Sequence, residues 1–231
     1  MKRPEFQNDF QPDDAGIKEI HMTETTKRAL VVIDVQNEYV TGGLLIEHPP
    51  VQDSLRRIGQ AMEAAHQAGI PVIVVQNRAP VTAPLFAHES EGWQLHEVLG
   101  SRHSDHYVDK TLPGALAETD IARWTRQRGI NTLSLLGYMT QNCVASTAVE
   151  ALHQGFAVEF LEDASGTVSY ANAQGNVSAQ EMHRVYCTVL QSRFAAVCTT
   201  RDWIDSLKGG NALPRSTIYH SHADAMKQAD V

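Results

Sequence analysis

Ala29-Leu30-Val31-Val32-Ile33-Asp34 is the stretch that decides the fold. An unbroken apolar run rich in β-branched residues predicts a strand buried on both faces. Outward from it the same kind of run returns at Pro71-Val72-Ile73-Val74-Val75, Thr132-Leu133-Ser134-Leu135-Leu136, Phe156 to Leu161 and Phe194-Ala195-Ala196-Val197-Cys198. Tyr107-Val108 begins a shorter strand. Amphipathic stretches lie between these runs. Val51, Leu55, Ile58, Met62 and Ala65 recur at helical spacing, and Gly69 closes that helix. Thr119 caps a helix through Trp124 that Gly129 ends, and a further helix runs from about Cys143 to His153. Ser178 and Glu181 read as a capping box for a helix with Met182, Val185 and Val189 inward, and Thr200 caps the last helix. Strand and helix in alternation predict a single three-layer, Rossmann-like α/β domain with a parallel sheet and helices on both faces. Ligands of such sheets bind at the carboxyl ends of the strands, beside the topological switch point.

The rest of the chain narrows the classes of function. With 19 basic and 27 acidic residues in 231, the net charge is −8, and so acidic a surface repels phosphate backbones; no nucleic-acid partner is expected. No apolar run reaches the roughly 18 residues of a membrane helix. Three cysteines, Cys143, Cys187 and Cys198, are too few for a disulfide framework and suit a reducing cytoplasm. Residues 1–27 are polar without hydrophobic period or apolar h-region and read as a flexible N-terminal extension or leader, with His21-Met22 a candidate junction. The domain spans 28–208, and 209–231 form a tail. Two long irregular segments stand out: 77–106, with Pro80, Pro84, Gly92 and Gly100, and 163–177 after the fifth strand.

Three residues at strand ends carry chemical interest. Asp34 closes the first strand, where a carboxylate is expensive to bury unless it is paired or used; a turn or helix-capping aspartate is the plain alternative. Cys143 follows Gly137-Tyr138-Met139-Thr140-Gln141-Asn142 where a strand turns into a helix. The positive end of the helix dipole makes a thiol there more acidic, and neighbouring N–H groups suit an oxyanion. The plain alternative is a buried structural cysteine, which is the reading for Cys187 and Cys198. Lys110, in Tyr107-Val108-Asp109-Lys110-Thr111, is unremarkable alone, since most lysines are solvated.

Taken together, Val31 to Asn37, Asp109-Lys110-Thr111 and Gly137 to Val144 resemble the isochorismatase-like cysteine hydrolases, over about residues 28 to 207. The resemblance implies a six-stranded parallel sheet in the order 3-2-1-4-5-6 and a catalytic triad of Asp34, Lys110 and Cys143. It implies an oxyanion hole from the N–H groups of Met139 and Cys143, and a cis peptide between Tyr138 and Met139. Members with the cysteine resemble amidases. The metal motif usual in nicotinamidases is missing from Val75-Gln76-Asn77-Arg78-Ala79-Pro80. Gly137 to Cys143, Asp163 to Asn172 and Ser192 to Val197 resemble the streptothricin-hydrolase branch, which opens a cyclic amide.

These readings converge on a hydrolase that cleaves a small-molecule amide, including a cyclic amide, through a thioester. The alternatives are a vinyl ether hydrolase of the isochorismatase type and a non-catalytic binding protein on the same fold. Gln36, Asn37, Tyr39, Phe86, Trp93, His106 and Tyr138 are the expected pocket residues. His103-x-x-His106 and His220-Ser221-His222 have ligand-like spacing but no supporting pattern, so no metal is expected. No Gly-x-Gly-x-x-Gly occurs, and no cofactor is expected. A homodimer or homotetramer is expected from the resemblance, with the 163–177 loop and Tyr170 packed on a neighbouring subunit.

Overall fold

Along β1 (Arg28–Ile33), Ala29, Val31 and Ile33 enter one apolar core while Leu30 and Val32 enter another. Side chains alternate across a strand, so one continuous apolar run supplies both faces of a sheet. β2 (Val72–Asn77), β3 (His106–Lys110), β4 (Thr132–Tyr138), β5 (Ala157–Gly166) and β8 (Ala196–Cys198) complete the sheet. Its order is β3-β2-β1-β4-β5-β8 and every pairing is parallel. A separate antiparallel hairpin, β6 (Tyr170–Asn172) and β7 (Gly175–Val177), sits between β5 and the final strand. This computed structural model describes residues 26–100, 102–210 and 212–229. The extension read in residues 1–27, with its junction at His21-Met22, lies outside them except for Thr26 and Lys27.

α1 (Val51–Gln67) lays Leu55, Ile58, Met62 and Ala65 on one core, joined there by Trp203 of α5 (Thr200–Gly209). α2 (Ile121–Arg126), α3 (Ala145–His153) and the end of α4 (Ala179–Val189) cover the other. The order of strand addition reverses between β1 and β4, so the expected switch point falls between Asp34 and the turn that follows Tyr138.

Several local expectations are corrected. The segment after the fifth strand is not a loop throughout: β5 continues to Gly166, because Ser165 and Gly166 pair with Gly137 and Tyr138 beyond a register shift in β4. α2 begins at Ile121 after Asp120, and the Thr119 hydroxyl bonds Ala115 O instead of capping it. A π-helical turn, Thr140–Val144, precedes α3. On α4, Ala179 and His183 are the buried residues, whereas Val185 and Val189 are exposed. The cap of α5 is Thr199, in a capping box with Asp202. The C-terminal tail contains a helix, α6 (Ile218–Ala229), with Ser216 N–H donating to Gln191 O upstream of it.

Candidate active site

Asp34 continues β1 by one residue, its N–H donating to Val75 O at 2.9 Å, and then leaves the strand with φ of 51°. Non-glycine residues rarely hold a left-handed backbone, and such residues concentrate at functional sites. Its carboxylate is fully buried. Lys110 ends β3, two strands away, and its long side chain reaches across the end of β2. Its Nζ lies 2.8 Å from Asp34 Oδ2 and donates to Cys143 Sγ at 3.3 Å and Leu112 O at 3.1 Å. Cys143 rides on the π-helical turn after β4, with its Sγ beside Lys110 and within the field of the Asp34 carboxylate. Three residues far apart in sequence therefore meet because β1, β3 and β4 all end at the same edge of the sheet.

Burial raises the Asp34 carboxyl above its ordinary range, against the pull of Lys110. Burial also opposes the charge on Lys110, but the Asp34 carboxylate and the Cys143 sulfur outweigh it, and the lysine is raised. The Cys143 thiol is pushed up to about 12, by burial first and by the Asp34 charge second. This reverses the expected acidification. Removal from water and an adjacent carboxylate both penalise the thiolate, and they exceed what the Lys110 ammonium returns. The thiol is therefore held toward its protonated form beside the close Lys110–Asp34 contact.

Close approach of β1 and β4 brings the two ends together. Gly137 adopts φ of 108°, and a Cβ there would overlap Ile33 O. Tyr138–Met139 is cis, and Met139 O accepts from Asn142 N at 3.0 Å and Val144 N at 3.2 Å. Cys143 O accepts from Thr147 Oγ1, which itself accepts from Ala115 N, so the turn is anchored from beneath.

The expected pocket residues divide. Tyr39 is buried with its ring 5.0 Å from Phe86 and 5.3 Å from Tyr138, an aromatic cluster behind Asp34. Burial, then the Asp34 charge, holds the Tyr39 phenol well above its ordinary range. The Tyr138 hydroxyl turns to Ser54 Oγ at 2.7 Å, towards α1. Gln36 is a strut: its Nε2 donates to Asn77 O and Trp93 O, and its Oε1 accepts from Asn77 N. Asn37 Nδ2 donates to Glu91 O. Trp93 meets His88 edge-on at 4.8 Å. His106 is not at the site. It starts β3, at the opposite edge of the sheet from Lys110, where its Nε2 lies 2.6 Å from Asp120 Oδ1 and its ring stacks on Trp124.

A cavity of about 550 Å³ opens beside the cluster, lined by Asn77, Arg78, Ala79, Pro80, Val81, His88 and Thr111. None of the expected pocket residues lines it, although Asn77 and Thr111 adjoin the Lys110 end. Arg78 brings a cation to it. Sequence reasoning also missed Glu38, buried and accepting from the N–H groups of Gly43 and Phe86. A Cβ on Gly42 or Gly92 would overlap it. This carboxylate clamps the two loops that flank the site. The clustered glycines at 42, 43 and 92 were its only trace in the sequence.

A parallel α/β sheet with a buried thiol, ammonium and carboxylate at its switch point defines the class. Comparison with known proteins then gives the family. The Isochorismatase domain model matches residues 28–202. A crystal structure of an isochorismatase candidate from Burkholderia xenovorans LB400 is 54% identical, with a TM-score of 0.88, covering 90% of this chain and all of that one. Streptothricin hydrolase of Streptomyces noursei is 31% identical over 61% of this chain and 50% of its own length. Ureidoacrylate amidohydrolase RutB of Acinetobacter baylyi is 26% identical over 81% of this chain and 86% of its own. The chain belongs to the isochorismatase-like cysteine hydrolase family.

Proposed function

We propose that the protein is a cysteine-dependent amidase acting on a small-molecule amide, cyclic amides included, through a thioester acyl-enzyme. The observation that carries this reading is the buried contact of Lys110 Nζ with both Asp34 Oδ2 and Cys143 Sγ. A thiol held near 12 is a poor nucleophile at rest, so its proton must leave as the C–S bond forms. Asp34, whose buried charge acts on that thiol, accepts it. Lys110 offsets the charge that develops on sulfur. The N–H groups of Met139 and Cys143 receive the oxyanion. Protonated Asp34 then gives the proton to the departing amine, and water releases the carboxylic acid. A carboxyl raised by burial is suited to both halves of that exchange.

Arg78 supports an acyl portion that carries an anionic group, seated in the adjoining cavity. Similarity to streptothricin hydrolase and to an amidohydrolase supports carbon–nitrogen bond cleavage. We also propose a homodimer or homotetramer. The exposed apolar side chains of Val185 and Val189 on α4, with half-exposed Tyr170 on the β6–β7 hairpin, support a covered surface there.

The test is a panel of primary amides, carbamoyl compounds and cyclic lactams, with and without a carboxylate, scored for ammonia or amine release. Hydrolysis of at least one class that disappears in Cys143→Ala is the expected result. Activity that survives in Cys143→Ala, or vinyl ether cleavage without amide cleavage, would overturn the proposal.

A further inference from the structure

Outside the triad cluster, a second group of chemically capable side chains converges where α4 packs on β5. His183 and Cys187 are four residues apart on α4 and so share one face of the helix. Glu162 projects from β5 towards that face. One ligand atom from each of Glu162, His183 and Cys187 lies within 4.8 Å of the other two. His183 is buried, while the Glu162 side chain is 39% exposed, leaving a way in from solvent.

We propose that Glu162, His183 and Cys187 form a binding site for a zinc-class divalent cation, with water in the fourth position. The hydrogen bonds of the ring argue for it. His183 Nδ1 lies 2.9 Å from Thr140 Oγ1, and that hydroxyl gives its single proton to Gly166 O. The ring therefore donates from Nδ1, which leaves the lone pair on Nε2. Nε2 faces Glu162 Oε2 at 4.0 Å, too far for a hydrogen bond. Two acceptors thus face each other with a thiol alongside, and a cation between them satisfies all three. An outer hydrogen bond that fixes the tautomer is also the usual support of a metal-bound histidine.

The distances suit zinc. Metal–ligand bonds of about 2.0–2.3 Å in a tetrahedron place ligand atoms roughly 3.3–3.6 Å apart. All three atoms already lie within 4.8 Å of one another, and rotation of the partly exposed glutamate shortens its 4.0 Å separation from His183 Nε2, with small side-chain shifts on α4 doing the rest. A mixed nitrogen, sulfur and carboxylate set favours Zn²⁺ over Mg²⁺ or Ca²⁺, which take oxygen ligands. On binding, Cys187 coordinates as thiolate and its proton passes to solvent. The cation would pin α4 to β5 and, through Thr140, brace the turn that carries Cys143.

Chelator-treated full-length protein titrated with Co²⁺ provides the test. We expect one equivalent bound, with the intense visible bands of a tetrahedral ion and a thiolate charge-transfer band, both displaced by Zn²⁺. Both signals should persist in Cys143→Ala, and the charge-transfer band should vanish in Cys187→Ser. Glu162→Gln, at a partly exposed position that does not threaten the fold, should weaken binding at least about tenfold. No saturable binding at micromolar metal, or bands lost in Cys143→Ala but kept in Cys187→Ser, would overturn the site.

Discussion

Asp34 acts on Cys143 in two opposed ways. Its charge holds the thiol pKa up, and in the proposed mechanism its oxygen is where that proton goes. Asp34→Asn separates the two effects. Removing the negative charge should lower the Cys143 pKa, so thiolate absorbance appears at lower pH, while turnover falls by roughly 10²–10⁴-fold for want of a base. A purely structural aspartate would show neither a lowered thiol pKa nor a selective loss of kcat. The same thiol links stability to pH. Its pKa is raised from 9.0 to about 12 in the native state, so the folded chain holds a proton that the unfolded chain loses. That contribution is complete below pH 9 and is lost as pH rises towards 12. Urea unfolding at stepped pH should show the alkaline loss, and Cys143→Ala should reduce it. At this scale the sequence was legible where a polar residue broke an apolar run, as at Asp34, or stood in a recognisable turn, as at Cys143. It was silent on Glu38, whose partners Gly43 and Phe86 lie in separate loops. It misread His106, because that residue was taken as the end of the 77–106 loop when it is the first residue of β3, remote from the carboxyl end where Lys110 sits.

Among the elements, the end of β4 sets the spacing of the site. Gly137 permits the approach to Ile33 that an added Cβ would block, at a φ that strains any other residue. Gly137→Ala should cost on the order of 3 kcal/mol or more in denaturant midpoint and should impair turnover in whatever folds. The β6–β7 hairpin is tied to the rest of the same chain: Tyr170 OH accepts from Gln141 Nε2 at 2.9 Å, and Ser169 bonds Glu47. Tyr170→Ala should therefore slow turnover through Gln141, which neighbours the Cys143 turn. If the hairpin also packs on a partner, light scattering will show weakened association in the same variant. The sequence read this region as a loop because Ser165, Gly166 and Thr167 carry no strand pattern. Pairing with β4 overrides that local preference, as sheets commonly do. The π-helical turn Thr140–Val144 escaped because the sequence was read as entering the helix only at about Cys143.

For the whole molecule, the parallel sheet was legible because continuous apolar runs alternating with amphipathic ones admit few architectures, whereas its strand order came from the family resemblance. What the sequence left open was the surface. The Met182, Val185 and Val189 stripe was expected inward, yet the buried side of α4 is the one bearing His183. Periodicity alone identifies an apolar stripe without saying which face meets the core. Light scattering should report a particle larger than 25.5 kDa, and Val185→Glu with Val189→Glu should return it to a monomer. A last consequence concerns dissolved salt. The side chains of Lys110 and Asp34 are wholly sealed from solvent, so mobile ions have no route to screen them. Arg78, by contrast, stands at an open cavity. Raising ionic strength should therefore leave kcat nearly flat while KM climbs for substrates bearing a carboxylate, and Arg78→Ala should erase that climb.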